Sequence, residues 1–94
     1  MIQFEWDEEK NKTNRFKHGI WFEEAQSVFD DPAGHVFFDS GHSEEEDRFL
    51  ILGMSSAAHL LVVVHCYAEP DSVVRIISAR KATKSEEEFY EKGI

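Results

Sequence analysis

A single cysteine, Cys66, stands among the 94 residues, so no disulfide can close within the chain, and the composition fits a reducing cytoplasm. No stretch approaches the roughly 20 apolar residues that span a bilayer. No apolar run of signal-peptide length stands near the start either, so the expectation is a soluble cytoplasmic protein with no membrane role. Bases are scarce: 10 Lys and Arg face 19 Asp and Glu, for a formal charge of −9. That balance argues against a generic nucleic-acid binder, which needs a broadly basic surface. Also lacking are a glycine-rich phosphate loop, a GxSxG elbow and a Cys/His nucleophile signature. The histidines show no metal-ligand spacing, and His65 and Cys66, adjacent on a strand, point to opposite faces. No metal and no other cofactor is expected.

What remains suits one small domain over residues 1–94, with 41% apolar and 13% aromatic residues to build a core. "IQFEW" alternates like a short strand, and Asp7 then caps a helix that runs to about Lys17 and closes at Gly19. Phe22, Ala25, Val28 and Phe29 fall at helical spacing, and "DDP" ends that second helix. Four strand candidates follow: "HVFFDS" (35–40), "RFLILGMS" (48–55), "HLLVVVHCYA" (59–68) and "VVRIISA" (73–79). Their short connections, "GHSEEED", "SAA" and "EPDS", favour antiparallel neighbours, with the last three as a meander. "TKSEEEFYEKG" reads as a third helix, capped by Thr83 or Ser85 and anchored by Phe89. The expected class is α+β: an antiparallel sheet packed with two N-terminal helices and one C-terminal helix.

Charge is unevenly placed. Residues 1–47 carry 13 acids against 4 bases, whereas residues 48–94 carry 6 of each. The acid runs at 7–9, 23–24, 30–31 and 43–47 fit solvated helix starts and a loop, or a patch that docks a basic partner. Against this background "KNKTNRFKHG" (10–19) holds four of the ten bases. Lys10, Asn14 and then Lys17 or His18 step along one side of the first helix, whose interior offers only Phe16 as a large apolar residue. A solvated face and a phosphate-facing stripe both fit this pattern.

The sheet offers a second positive cluster. With "EPDS" and "SSAAH" as turns, Ala68 faces Val73, Cys66 faces Arg75, Met54 faces Leu60 and Arg48 faces Cys66. Arg48, Cys66 and Arg75 then form one row, in a register that a one-residue slip would destroy. Rigidly held arginines suit an anionic substrate, and pairing with nearby carboxylates is the alternative. Arg80 and Lys81, with Lys84, stand where strand gives way to helix, as a third positive edge or an ordinary exposed turn. Cys66 reads as a core residue, and Trp6 and Trp21 as packing anchors on either side of the first helix.

The segments "FEWDEEKNKTNRFKHGIWFEEAQSVFDDP", "DRFLILGMS", "LLVVV" and "RIISARKAT" together resemble the BrnT family, toxin components of bacterial type II toxin-antitoxin pairs. The resemblance runs in order through nearly the whole chain. It implies a RelE-like fold, ribonuclease activity without a metal, and neutralisation by a BrnA-like antitoxin that binds operator DNA, in a heterotetramer with the toxin. Metal-independent RNA cleavage needs a base for the ribose 2′-OH, an acid for the leaving oxygen and cations over the phosphate. Arg48 and Arg75 are the choice for charge stabilisation, with Lys10 and His18 for proton transfer or phosphate positioning. Asn14, Lys17, Arg80 and Lys81 are assigned to substrate binding, and His65 and Tyr90 are weaker candidates. A net charge of −9 confines the RNA contact to a small basic cleft, or to a substrate presented by the ribosome. The alternative function is a catalytically weak or inactive toxin-like protein that binds an antitoxin in operator autorepression.

Overall fold

The computed structural model describes residues 2–42, 46–68 and 72–93. The elements in chain order are β1 (Gln3–Glu5), α1 (Glu8–His18), α2 (Phe22–Ala25) running into a 3₁₀ turn (Gln26–Asp30), and β2 (His35–Phe38). A short 3₁₀ turn (Ser40–His42) follows, then β3 (Phe49–Met54), β4 (Leu60–Ala68), β5 (Val73–Lys81) and α3 (Lys84–Lys92). Acids 44 and 45 and the turn residues 69–71, both parts of the sequence reading, lie outside the described residues.

The five strands form one sheet in the order β1-β5-β4-β3-β2. β2 through β5 are antiparallel neighbours, as short connections require. The expectation of a wholly antiparallel sheet fails at β1, which pairs with β5 in parallel, Glu5 opposite Arg75. Hairpin logic covers consecutive strands only, and nearly the whole chain separates these two. The registers Cys66↔Arg75, Ala68↔Val73 and Met54↔Leu60 all occur. One feature of β5 has no signature in the sequence: Val64 pairs with Ser78 and His65 with Ile76, so Ile77 is the extra residue of a β-bulge.

Local chemistry explains the helix ends. The Asp7 carboxylate accepts from the backbone N–H of Glu9 (2.8 Å) and Lys10 (3.4 Å), and Gly19 closes α1 at φ 76°, a left-handed conformation that glycine adopts without a Cβ clash. Thr83 and Glu86 form a reciprocal capping box that opens α3. The second helix departs from the expected α form after one turn and tightens to 3₁₀ through Asp30.

Along β4, Leu61, Val63 and His65 face α1 and α2, and the core gathers there around Ile20, Phe22, Ala25, Val28, Ile51 and Ile76. Trp6 packs edge-on against Phe22, as an anchor should. Trp21 instead is half-exposed, with the Arg15 guanidinium 5.7 Å from its ring centre, because it serves as the N-cap of α2 at the surface. The opposite sheet face is covered at one end by α3, whose Phe89 meets His35 and Phe37. Its other end, holding Cys66 and Arg75, lies beyond α3. Among the described residues no helix is long and apolar enough to cross a membrane.

Candidate functional site

α1 has almost no apolar face, and Phe16 is 92% exposed, so hydrophobic burial does not hold this helix in place. Two buried asparagines do. Asn14 Nδ2 donates to the carbonyls of Ile20 (2.8 Å) and Ala79 (2.9 Å), while the Ala79 N–H donates to Asn14 Oδ1 (3.0 Å). Its side chain thus pairs with β5 as a further strand would, past the point where β1 ends. Three residues earlier, Asn11 Oδ1 accepts from the Phe22 N–H (2.7 Å), and its amide donates to Glu8 and Glu23. These bonds fix α1 against the rim of β5.

Between the two elements opens a cleft of about 280 Å³ lined by Glu9, Lys10, Thr13, Asn14, Lys17 and His18 from α1 and by Ile77 and Ser78 from the bulge, so three basic side chains share it with one acid. The side of α1 singled out in the sequence therefore does line a cavity. Within it Asn14 sits at the floor, 5% exposed, its amide already engaged on both sides. Its geometry is that of a clamp holding the cleft walls together.

The arginine row lies on the other sheet face. Arg75 is paired with Cys66, and Arg48 stands one residue before Phe49, whose partner is His65. Both guanidinium charges act on the Cys66 thiol. Burial pushes that thiol up, Glu46 adds to the effect, and the two arginines only partly offset it, so Cys66 is a neutral thiol at pH 7. Arg75 Nε donates to Glu5 Oε2 at 2.8 Å, and Nη2 lies 2.8 Å from the same oxygen in an ion pair. Ser78 pairs with Val64, which shares the face of Cys66, so Ser78 is the one cleft residue that lies on the face of the arginine row. Glu5 was not foreseen, because only the parallel pairing of β1 brings it opposite Arg75.

Arg80 and Lys81 do not act as one edge. β5 continues through Lys81, so the two are strand neighbours on opposite faces. Arg80 donates to both carboxylate oxygens of Glu86, at 2.8 and 3.0 Å, and its hydrogen bonds, foremost, hold Glu86 down at about 2. Lys81 contributes instead to the field at Glu24, on the α2 side. There burial pushes Glu24 up, but hydrogen bonds from Ser55 (2.6 Å) and His59 (2.7 Å) and the nearby positive charges outweigh it.

The two weaker candidates lie elsewhere. His65 is fully buried among Phe29, Phe49 and Tyr67, its Nδ1 3.1 Å from the Val63 carbonyl, and Nε2 has no hydrogen-bond partner among the described residues. Burial drives its pKa down. Tyr90 donates to Asp31 (2.6 Å), which also accepts from the Met54 N–H, tying α3 to the end of the 3₁₀ turn. Asn11 was missed, because in a polar helix nothing sets it apart until the Phe22 N–H and Glu23 meet it in the folded chain.

A family model described as "Ribonuclease toxin, BrnT, of type II toxin-antitoxin system" matches residues 6–86. Among solved structures, the crystal structure of the Brucella abortus ribonuclease toxin BrnT is similar with a TM-score of 0.69 and 23% identity, over 89% of this chain and 100% of that one. At that identity the likeness shows the fold. No curated protein matches the sequence.

Proposed function

The chain belongs to the BrnT family of ribonuclease toxins of type II toxin-antitoxin systems, and from that premise we propose that it cleaves RNA without a metal, on the surface where the α1 cleft meets the arginine row. The ribose 2′-oxygen attacks the adjacent phosphorus, the bond to the 5′-oxygen breaks, and a 2′,3′-cyclic phosphate and a 5′-hydroxyl result. One of Lys10 and His18 takes the 2′-OH proton and the other returns a proton to the leaving oxygen. Arg48 and Arg75 stabilise the charge on the phosphorane, and Lys17 holds a neighbouring phosphate. Arg80 and Lys81 contribute at the margin: Arg80 reaches a phosphate only by exchanging its carboxylate partner. In this reading the fold is RelE-like, and a BrnA-like antitoxin neutralises the toxin, joins it in a cytoplasmic heterotetramer and carries the pair to operator DNA.

The observation that carries the reading is the gathering of Lys10, Lys17 and His18 around one cleft in a chain of net charge −9. A second reading draws on a different observation. The guanidinium of Arg75 is already paired with Glu5 and that of Arg80 with Glu86, which favours a toxin-like scaffold of low activity that works by binding its antitoxin. Expression without antitoxin separates the two. Wild type should arrest growth and deplete RNA, and His18→Ala or Arg75→Ala should lower the cleavage rate by about 10² or more. A well-folded wild-type protein that leaves growth and RNA untouched would leave only the scaffold reading.

A further inference from the structure

The molecule carries an aromatic strip that the cleavage site does not use. On the sheet face shared with α1 and α2, but past their reach, Phe38 pairs with Phe49, and Phe49 meets Tyr67, with ring centres 5.6 and 5.3 Å apart. Phe38 is 54% exposed, Tyr67 44%, and Val36, on the same face of β2, 51%. The strip begins at an edge strand: in the sheet order β2 pairs only with β3, and among the described residues no strand lies along its outer side. Phe37, on the other face of β2, is also exposed, so this edge presents apolar side chains in both directions. Natural sheets normally blunt such an edge with charge, proline or a covering element.

The chemistry around the strip selects its occupant. Asp47 lies two residues before Phe49 and so falls on the strip's side by strand alternation, whereas Arg48, between them, falls on the other. That carboxylate, in a chain of net charge −9, disfavours phosphates here and leaves RNA to the cleft that holds Lys10, Lys17 and His18. A second copy would bring two such acidic chains together across a two-fold axis. A different polypeptide with apolar side chains and flanking Lys or Arg satisfies strip, edge and charge together. We propose that the outer edge of β2 and the strip Val36, Phe38 and Tyr67 receive an extended apolar and basic segment of the antitoxin, added as a sixth strand. This rests on the antitoxin reading above, and it places neutralisation away from the α1 cleft.

The test uses purified toxin and the antitoxin encoded with it, by titration calorimetry, comparing wild type with a Val36→Ala, Phe38→Ala, Tyr67→Ala variant. Thermal melts and RNA cleavage confirm that the variant is folded and active, since all three side chains are about half-exposed or more. Affinity should fall about 100-fold or more while cleavage is kept, and coexpressed antitoxin should no longer rescue growth. Asp47→Lys, which alters charge without touching the strip, should slow association several-fold and weaken its salt dependence. Wild-type affinity in the triple variant would overturn the surface while leaving the antitoxin reading intact. A wild-type protein that binds no antitoxin would overturn both. A wild-type dimer that the triple variant dissociates, or a triple variant that loses RNA cleavage, would assign the strip to a second copy or to RNA instead.

Discussion

Replacing Asn14 by aspartate changes one atom's chemistry and almost none of its shape. The amide makes three buried hydrogen bonds, two donated to the carbonyls of Ile20 and Ala79 and one accepted from the Ala79 N–H. A carboxylate keeps the accepted bond but turns an oxygen toward two carbonyl oxygens, in a site 5% exposed. Two donated bonds are lost at about 1 kcal/mol each, and the unsatisfied buried groups add about 1–3 kcal/mol. The loss at pH 7 is therefore about 3–5 kcal/mol, a large part of the roughly 5–15 kcal/mol that holds a small domain. Asn14→Ala loses all three bonds and leaves the same backbone groups unsatisfied without placing a charge there, and by the same accounting should cost about 4–6 kcal/mol.

Acidity separates the two variants. Protonated, the new acid donates to one of the carbonyls, so folding favours its protonated form and its pKa in the folded state lies above the unfolded one. That stabilisation is fully present below the unfolded pKa and is lost as pH rises through the folded one. The deficit of Asn14→Asp relative to wild type should narrow as pH falls from 7 toward 4, while that of Asn14→Ala stays flat. Urea unfolding followed by tryptophan fluorescence at several pH values measures both. An aspartate variant within 0.5 kcal/mol of wild type at pH 7, or a deficit that does not narrow in acid, would refute the clamp. Because the clamp holds α1 beside β5, either variant should also lose RNA cleavage.

Burial lowers the pKa of His65 below its ordinary 6.5, so below pH 6.5 the unfolded chain takes up a proton that the folded one refuses. Stability should then fall with pH by up to about 1.4 kcal/mol per unit until the folded pKa is reached, and His65→Phe, which suits the surrounding aromatic rings, should flatten that slope in urea titrations at pH 5.5–7.5. At Gly53 an added Cβ would stand 2.9 Å from Val28 Cγ1 and 3.3 Å from Asp31 Oδ2; Gly53→Ala should cost about 1–3 kcal/mol by overpacking, read as a lower melting temperature. Ala58 holds φ 61° in the turn before β4, a conformation glycine adopts without steric cost, and Ala58→Gly should raise stability by about 0.5 kcal/mol in the same melts.

Local chemistry was legible in the sequence. The Asp7 cap and the Gly19 stop occur where side-chain type alone put them, and of the two caps offered for α3, Thr83 and Ser85, Thr83 is the one used; each depends on neighbours within one helical turn. The pairing of Cys66 with Arg75 followed from turn composition and strand alternation, since a period of two leaves few registers that bury the right residues. Four separated segments sufficed to indicate the toxin family that residues 6–86 match. The side of α1 that bears Lys10, Lys17 and His18 was likewise readable from helical spacing.

Only tertiary structure decided the rest. The parallel union of β1 with β5, the bulge at Ile77, the pairing of Glu5 with Arg75 and the separation of Arg80 from Lys81 by sheet face all depend on distant segments meeting. Asn14 shows the reason most directly. In sequence it is one polar residue in a polar helix, equally suited to water or to phosphate. Its role depends on a backbone edge 65 residues away, left open where a three-residue strand ends, and no local pattern encodes that vacancy. Spacing along a chain determines which residues share a face; what that face meets is settled when the sheet assembles.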